Sequence, residues 1–155
     1  MATPFGYVQI RAQDDLVVSV DFVSLPPVIE ATKNKVLMQA QQQMLAYCEQ
    51  PQSVFKLPLR MRGTAFQQRV WQALQSIPAG EVRTYGEMAL QLNTSPRAIG
   101  GACRANPLPI IVPCHRVVSR LGMGGYSGDT DGDNMEIKRG LLRHEGVEIT
   151  FRDRI

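Results

Sequence analysis

Apolar and polar residues alternate early in the chain, in Tyr7-Val8-Gln9-Ile10 and again in Leu16-Val17-Val18-Ser19-Val20-Asp21-Phe22, with Asp14-Asp15 between the two runs. A period of two around a polar turn predicts a β-hairpin. Pro26-Pro27 ends it. From Lys33 to Glu49 the apolar residues Val36, Leu37, Ala40, Met44, Leu45 and Cys48 recur at helical spacing, and Pro51 closes that segment. A short strand near Val54 to Leu59 is expected to return to the hairpin. Residues 1–62 thus read as an N-terminal lobe, a small sheet carrying one helix.

The pattern changes at Gly63, where three helix starts follow in close succession. Thr64-Ala65-Phe66-Gln67 and Thr84-Tyr85-Gly86-Glu87 both fit the capping box, a hydroxyl followed three residues later by Gln or Glu. Ser95-Pro96 supplies an N-cap serine and a proline at the first helical position, where its missing N–H is harmless. A helix from Tyr85 to Leu92, the turn Asn93-Thr94 and a helix from Pro96 to Ala105 make a helix-turn-helix. Such a pair either packs in a core or seats its second helix on DNA. Arg97 and Arg104 favour DNA, and Gly100-Gly101, at about 1 kcal/mol per glycine in a helix, implies a close approach to that surface. Next come Ile110-Ile111-Val112, then Pro113-Cys114-His115-Arg116, and then Gly122 to Gly128, a glycine-rich loop able to lie over a ligand. A last helix from Met135 to His144 is expected to end at Gly146, with a short strand from Val147 to Phe151. The fold class is α+β, with residues 63–155 forming a mostly helical C-terminal lobe.

At 155 residues and 44% hydrophobic content the chain can bury a core, which excludes a disordered or fibrous protein. No apolar run of membrane-spanning length occurs, and Met1-Ala2-Thr3-Pro4 lacks the features of a signal peptide. A soluble, cytoplasmic protein without membrane partners is expected. Net charge is only +3, but between Lys56 and Arg120 nine basic residues face two acidic ones. That concentration suits a polyanion, and equally a solvated face.

Cys48, Cys103 and Cys114 form an odd set without a CxxC pair, and there are two histidines. Neither a disulfide framework nor a structural zinc site is expected, so each cysteine is a small apolar residue or a reactive thiol. Cys114 follows an apolar run and a proline, and a thiol near 8.5 needs a base or a positive charge to become thiolate. His115 and Arg116 are both candidates to activate it. Adjacent side chains rarely face one another, so His115 would act through a water or a fold-back, with a carboxylate on its other nitrogen. Glu145 and the cluster Asp129, Asp131, Asp133 and Glu136 are the candidates.

The segment SPRAIGGACRANPLPIIVPCHRVV, Ser95 to Val118, resembles the O6-alkylguanine-DNA alkyltransferases, also called methylated-DNA-protein-cysteine methyltransferases. The similarity also takes in Phe66 to Leu74, Pro78 to Tyr85, Gly125-Tyr126-Ser127-Gly128 and Leu141 to Gly146, and so runs from about Gly63 to Gly146. It implies a ribonuclease-H-like N-terminal lobe, a winged helix-turn-helix, and a partner that is double-stranded DNA containing O6-alkylguanine, with O4-alkylthymine a further substrate. Cys114 then corresponds to the acceptor, His115 to the water-linked base and Glu145 to the carboxylate orienting it. Arg97 corresponds to the arginine that fills the space of the flipped nucleotide, and Tyr85 to the tyrosine that crowds a phosphate and bonds the extruded guanine. Ser95, Arg104, Gly100 and Gly101 fall on the DNA-facing helix. The carbonyls of Cys114 and Val117 would accept from the guanine amine, and the Ser127 N–H would donate to O6. Asn106 would brace the turn that presents Cys114, while Tyr126 and Cys103 would line the pocket wall.

The resemblance further implies a single-turnover protein, monomeric and able to cluster on DNA, that needs no cofactor. A zinc site known in some relatives is not expected, because the N-terminal lobe holds Cys48 and no histidine. Asp129 to Asn134 is an insertion relative to many relatives, read as an acidic loop without the full calcium-loop pattern. Two rivals are a damage sensor of the alkyltransferase-like type, which lacks the acceptor cysteine, and a cysteine hydrolase built on Cys114 and His115.

Overall fold

The computed structural model describes residues 1–27, 33–120 and 133–148. The chain divides into two compact units, one of Met1–Arg62 with Pro107–Ile111, the other of Gly63–Asn106 with Val112–Ile155.

In the first unit β1 (Ala2–Thr3), β2 (Gly6–Gln13) and β3 (Leu16–Val23) form an antiparallel sheet in that order. Asp14 supplies the left-handed turn residue at φ 55°, a conformation that aspartate tolerates through local hydrogen bonding. The register shifts between Arg11 and Ala12, leaving Val18 without a partner. The extra residue flips the alternation, so Val17 and Val20 are both buried with Val8 and Ile10. They face α1 (Lys35–Glu49), which is capped by the Asn34 side chain and buries Ala40, Met44 and Tyr47. Pro107–Ile111 joins this unit through the Val20 amide, which donates to the Pro107 carbonyl at 3.0 Å.

The strand expected over Val54 to Leu59 does not form. Only Leu59 makes a bridge, to Val17. The Gln43 side chain takes both backbone groups of Lys56, accepting from its N–H at 2.7 Å and donating to its carbonyl at 3.1 Å. An amide side chain thereby substitutes for a neighbouring strand.

In the second unit α2 (Ala65–Gln75) and α3 (Tyr85–Leu92) both start at complete capping boxes, on Thr64 and Thr84. Asn93, left-handed at φ 57°, ends α3, and the Thr94 amide returns to the Ala89 carbonyl at 2.9 Å. Ser95 then caps α4 (Pro96–Arg104), with Pro96 in its first turn and Ala105 as its C-cap. Ile99 and Ala102 are the buried side of α4. The Trp71 indole of α2 donates to the Ala102 carbonyl at 2.9 Å inside the core, which locks α4 onto α2. β4 (Arg83–Thr84) pairs in parallel with β5 (Val117–Val118), a contact that two-residue segments do not announce in sequence. α5 (Asp133–His144) begins two residues before the expected Met135. Of the expected terminal strand, Val147 and Glu148 are not in a strand, and the remainder lies outside the described residues. No described helix is long and apolar enough to cross a membrane.

Candidate active site

Cys114 opens a single 3₁₀ turn, Cys114–Arg116, and Pro113 sets its entry. Pro113 has φ −82° and ψ 68°, and the Cys114 amide donates to the Val112 carbonyl at 2.8 Å across it. That is an inverse γ-turn, for which proline is already preset. The Asn106 side-chain amide donates to the same Val112 carbonyl at 2.8 Å, so the turn is held from both sides. At the far end the Val117 amide returns to the Cys114 carbonyl, and β5 then ties the segment to Thr84, the cap immediately before Tyr85.

Cys114 is only 6% exposed. Burial raises the Cys114 pKa above its ordinary value, opposed by a hydrogen bond from Asn106, the charge of Lys138 and its own backbone. Desolvation pushes the Cys103 thiol up to about 12. Lys138 opposes the rise at Cys103 as well, whereas at Cys114 the Asn106 bond and the turn's own backbone add to that opposition.

His115 and Glu145 are wholly buried side chains that meet at 2.7 Å, Nε2 to Oε2. The helix end places the carboxylate. Gly146 takes φ 85°, its N–H reaches the Arg143 carbonyl at 3.0 Å, and the Val147 N–H reaches Leu142 at 2.8 Å. This Schellman pair fixes Glu145 as the last residue before the chain turns away. Burial lowers the His115 pKa, with Glu145 acting in the opposite direction. Arg116 does not address the thiol. Its Nε donates to Glu145 Oε1 at 2.9 Å, its Nη2 to Oε2 at 3.0 Å and its Nη1 to the Ile77 carbonyl. The expectation that Arg116 could activate Cys114 is thus replaced by a fork that clamps Glu145. A carboxylate holding three donors is an acceptor, so the neutral imidazole carries its proton on Nε2 and a lone pair on Nδ1. Nδ1 is buried and has no protein partner among the described residues.

Lys138 was not singled out in the sequence, although it falls on the apolar stripe of α5 with Met135, Leu141 and Leu142. Its side chain is fully buried. Nζ donates to the Val117 carbonyl at 2.7 Å and lies 5.8 Å from the Tyr85 ring centroid. A lysine at helical spacing among apolar residues was the available signal.

Arg97, Gly101 and Arg104 lie along one side of α4 and are exposed, as is Ser95. A Cβ on Gly101 would meet nothing within 4 Å, and one on Gly100 would only touch the Tyr85 ring at 4.0 Å. Among the described residues nothing crowds this surface closely. Tyr126, Ser127 and Asp129 to Gly132 lie outside the described residues. Among the described residues no group of three or more His, Cys, Asp or Glu side chains could hold a metal ion.

Residues 65–147 match the family model of the 6-O-methylguanine DNA methyltransferase DNA-binding domain. The constitutive methylated-DNA–protein-cysteine methyltransferase of Bacillus subtilis is 37% identical, over 94% of this chain and 92% of its own. The protein of the same name from Archaeoglobus fulgidus is 47% identical over 59% of this chain, which spans 63% of that relative's length. Among solved structures, the Mycobacterium tuberculosis O6-methylguanine methyltransferase matches with TM-score 0.74 and 32% identity, over 94% of this chain and 89% of that one. The same organism's protein in complex with DNA matches with TM-score 0.75, 34% identity, and 94% and 90% coverage. The mixed α/β fold of a small sheet plus helices is therefore that of these proteins, and the chain belongs to the 6-O-methylguanine DNA methyltransferase family, which repairs DNA by direct alkyl transfer to a protein cysteine.

Proposed function

We propose that Cys114 is the acceptor and takes the alkyl group from O6-alkylguanine in duplex DNA, with O4-alkylthymine a further substrate, in a single turnover. The observation carrying this is the buried His115–Glu145 pair in the turn that Cys114 opens, in which the buried His115 Nδ1 lone pair has no partner among the described residues. His115, acting through a water, takes the thiol proton while Glu145 holds the imidazole. The thiolate attacks the alkyl carbon in line, the new S–C bond forms as the C–O6 bond breaks, and the proton ends on guanine. The product is a thioether that no group in the site can cleave.

A guanine within a duplex cannot present O6 to a buried thiol, so the nucleotide is flipped at a cost of a few kcal/mol. The exposed Arg97, Gly101 and Arg104 side of α4 supports its role as the DNA-facing helix, with Ser95 at its start. On this reading the second unit is a winged helix-turn-helix, the first a ribonuclease-H-like lobe, and the protein acts as a monomer that can cluster on DNA. Arg97 fills the vacated stack. Tyr85 crowds the phosphate and then bonds the base, and Gly100-Gly101 lets the backbone of the duplex come close. The carbonyls of Cys114 and Val117 accept from the guanine amine, Ser127 donates to O6, Tyr126 and Cys103 wall the pocket, and Asn106 keeps the acceptor turn in place.

The test is incubation with duplex DNA containing O6-methylguanine, followed by mass mapping of the tryptic peptides. A stoichiometric methyl on Cys114 with restored guanine is expected. Retained DNA binding with unmodified Cys114 would overturn the assignment in favour of a damage sensor.

A further inference from the structure

A fully buried lysine is an expensive residue to keep, and Lys138 is one of three polar or charged side chains buried among the described residues, beside His115 and Glu145. Those two form the network already described; Lys138 belongs to no step of it. Its ammonium is anchored on the Val117 carbonyl at 2.7 Å, the carbonyl that directly follows the Cys114–Arg116 turn. α5 and that turn pack on one another, so the anchor is set by two elements. We infer that Lys138 is the electrostatic partner of the Cys114 thiolate, a positioning residue whose positive charge lowers the free energy of the sulfur anion inside a desolvated pocket. The inference rests on Cys114 being the reacting thiol.

Several observations converge on this role. The charges of Lys138 and Cys114 act on one another in both directions, and Cys103 senses Lys138 as well. Burial brings the Lys138 pKa down to about 8, and the two thiols oppose that change. The same charge disfavours protonation of His115. Lys138 therefore acts selectively: it favours the anion on sulfur and opposes a resident imidazolium, so that His115 passes its proton on. The Tyr85 ring, 5.8 Å from Nζ, offers the ammonium a π face. Among the described residues, the groups that act on the ammonium include Cys103, Cys114, His115, the Val117 carbonyl and the Tyr85 ring. In these buried surroundings the cation answers the anion that develops on Cys114.

Two measurements on the full chain decide the matter, and neither uses DNA. Lys138→Gln keeps a donor for the Val117 carbonyl and removes the charge. Iodoacetamide labelling across pH, followed on the tryptic peptide Ala105 to Arg116, reads Cys114 separately from Cys103, which lies on Ala98 to Arg104. The Cys114 midpoint should rise by about one pH unit, a slowing of about tenfold at fixed lower pH. An unchanged midpoint in the folded variant overturns the proposal. The reciprocal measurement needs no change at Lys138. Its side-chain carbon resonance, titrated in the unaltered protein and in Cys114→Ser, should show a lower Lys138 pKa once the thiolate is gone, and identical titrations overturn the proposal. Should methyl transfer from DNA map to another residue while these titrations remain coupled, it is the acceptor assignment that fails.

Discussion

Replacing Arg116 with methionine removes the two-point clamp on Glu145 and keeps an unbranched side chain. The perturbation is local but falls on a buried charge: the Glu145 side chain is 0% exposed and that of Arg116 is 11%. The bonds at 2.9 and 3.0 Å disappear together, along with the donor to the Ile77 carbonyl. Breaking a buried ion pair by deleting one partner costs about 3–5 kcal/mol, because the other charge stays desolvated. His115 remains on Glu145 at 2.7 Å. Without the guanidinium, which disfavours its charged form, the imidazole is also easier to protonate. Both effects shift the expected loss to the low end, about 3 kcal/mol. At roughly 2–4 °C per kcal/mol for a chain of this size, the melting midpoint should fall by roughly 6–12 °C. Urea unfolding of the wild type, Arg116→Met, Glu145→Gln and the double variant closes a mutant cycle. A coupling of more than about 1 kcal/mol is expected, with the double variant less impaired than the two losses added. Losses that add to within about 0.5 kcal/mol would show that the clamp is not an energetic unit.

Acid should weaken the fold through His115. Burial holds its pKa below the ordinary 6.5, so as pH falls the unfolded chain binds a proton first. The stability associated with the neutral ring is complete above pH 6.5 and declines as pH drops from there toward the folded value. Urea melts between about pH 7 and 5 should show a shallower pH slope in His115→Asn, which cannot titrate; an equal slope would count against a neutral buried imidazole. Gly63→Ala tests packing ahead of α2. A Cβ there would sit 2.5 Å from the Trp71 ring, which its indole N–H pins to Ala102. A loss of about 1–3 kcal/mol is expected, read as a lower thermal midpoint, and an unchanged midpoint would mean that Trp71 is not held as described.

The elements legible in the sequence are those specified by residues within a few positions of one another. Thr64, Thr84 and Ser95 each accept a bond from the amide three residues on, so the starts of α2, α3 and α4 could be placed before any tertiary contact was known. The hairpin around Asp14-Asp15 and the glycine stop at Gly146 are equally local. Val54 to Leu59 had the composition of a strand but meets the hairpin only at Leu59, which bridges Val17, while Gln43, 13 residues before Lys56, satisfies the Lys56 backbone instead. The site divides along the same line. The Pro-Cys-His-Arg run marks the candidate thiol in one stretch of chain, whereas the choice among five carboxylates came from resemblance, and the structure reaches Glu145 through a bond across 30 residues. Adjacency misled for Arg116, since a side chain next to the thiol in sequence points along the turn toward Glu145. Lys138 shows the limit most clearly. Its place on the apolar stripe of α5 is written in the helical period, but which atoms surround a buried ammonium is decided only when α5 packs on the turn that carries Cys114. Short-range hydrogen bonding and periodicity are encoded locally, whereas the electrostatics of a buried site depend on distances that exist only in the folded chain.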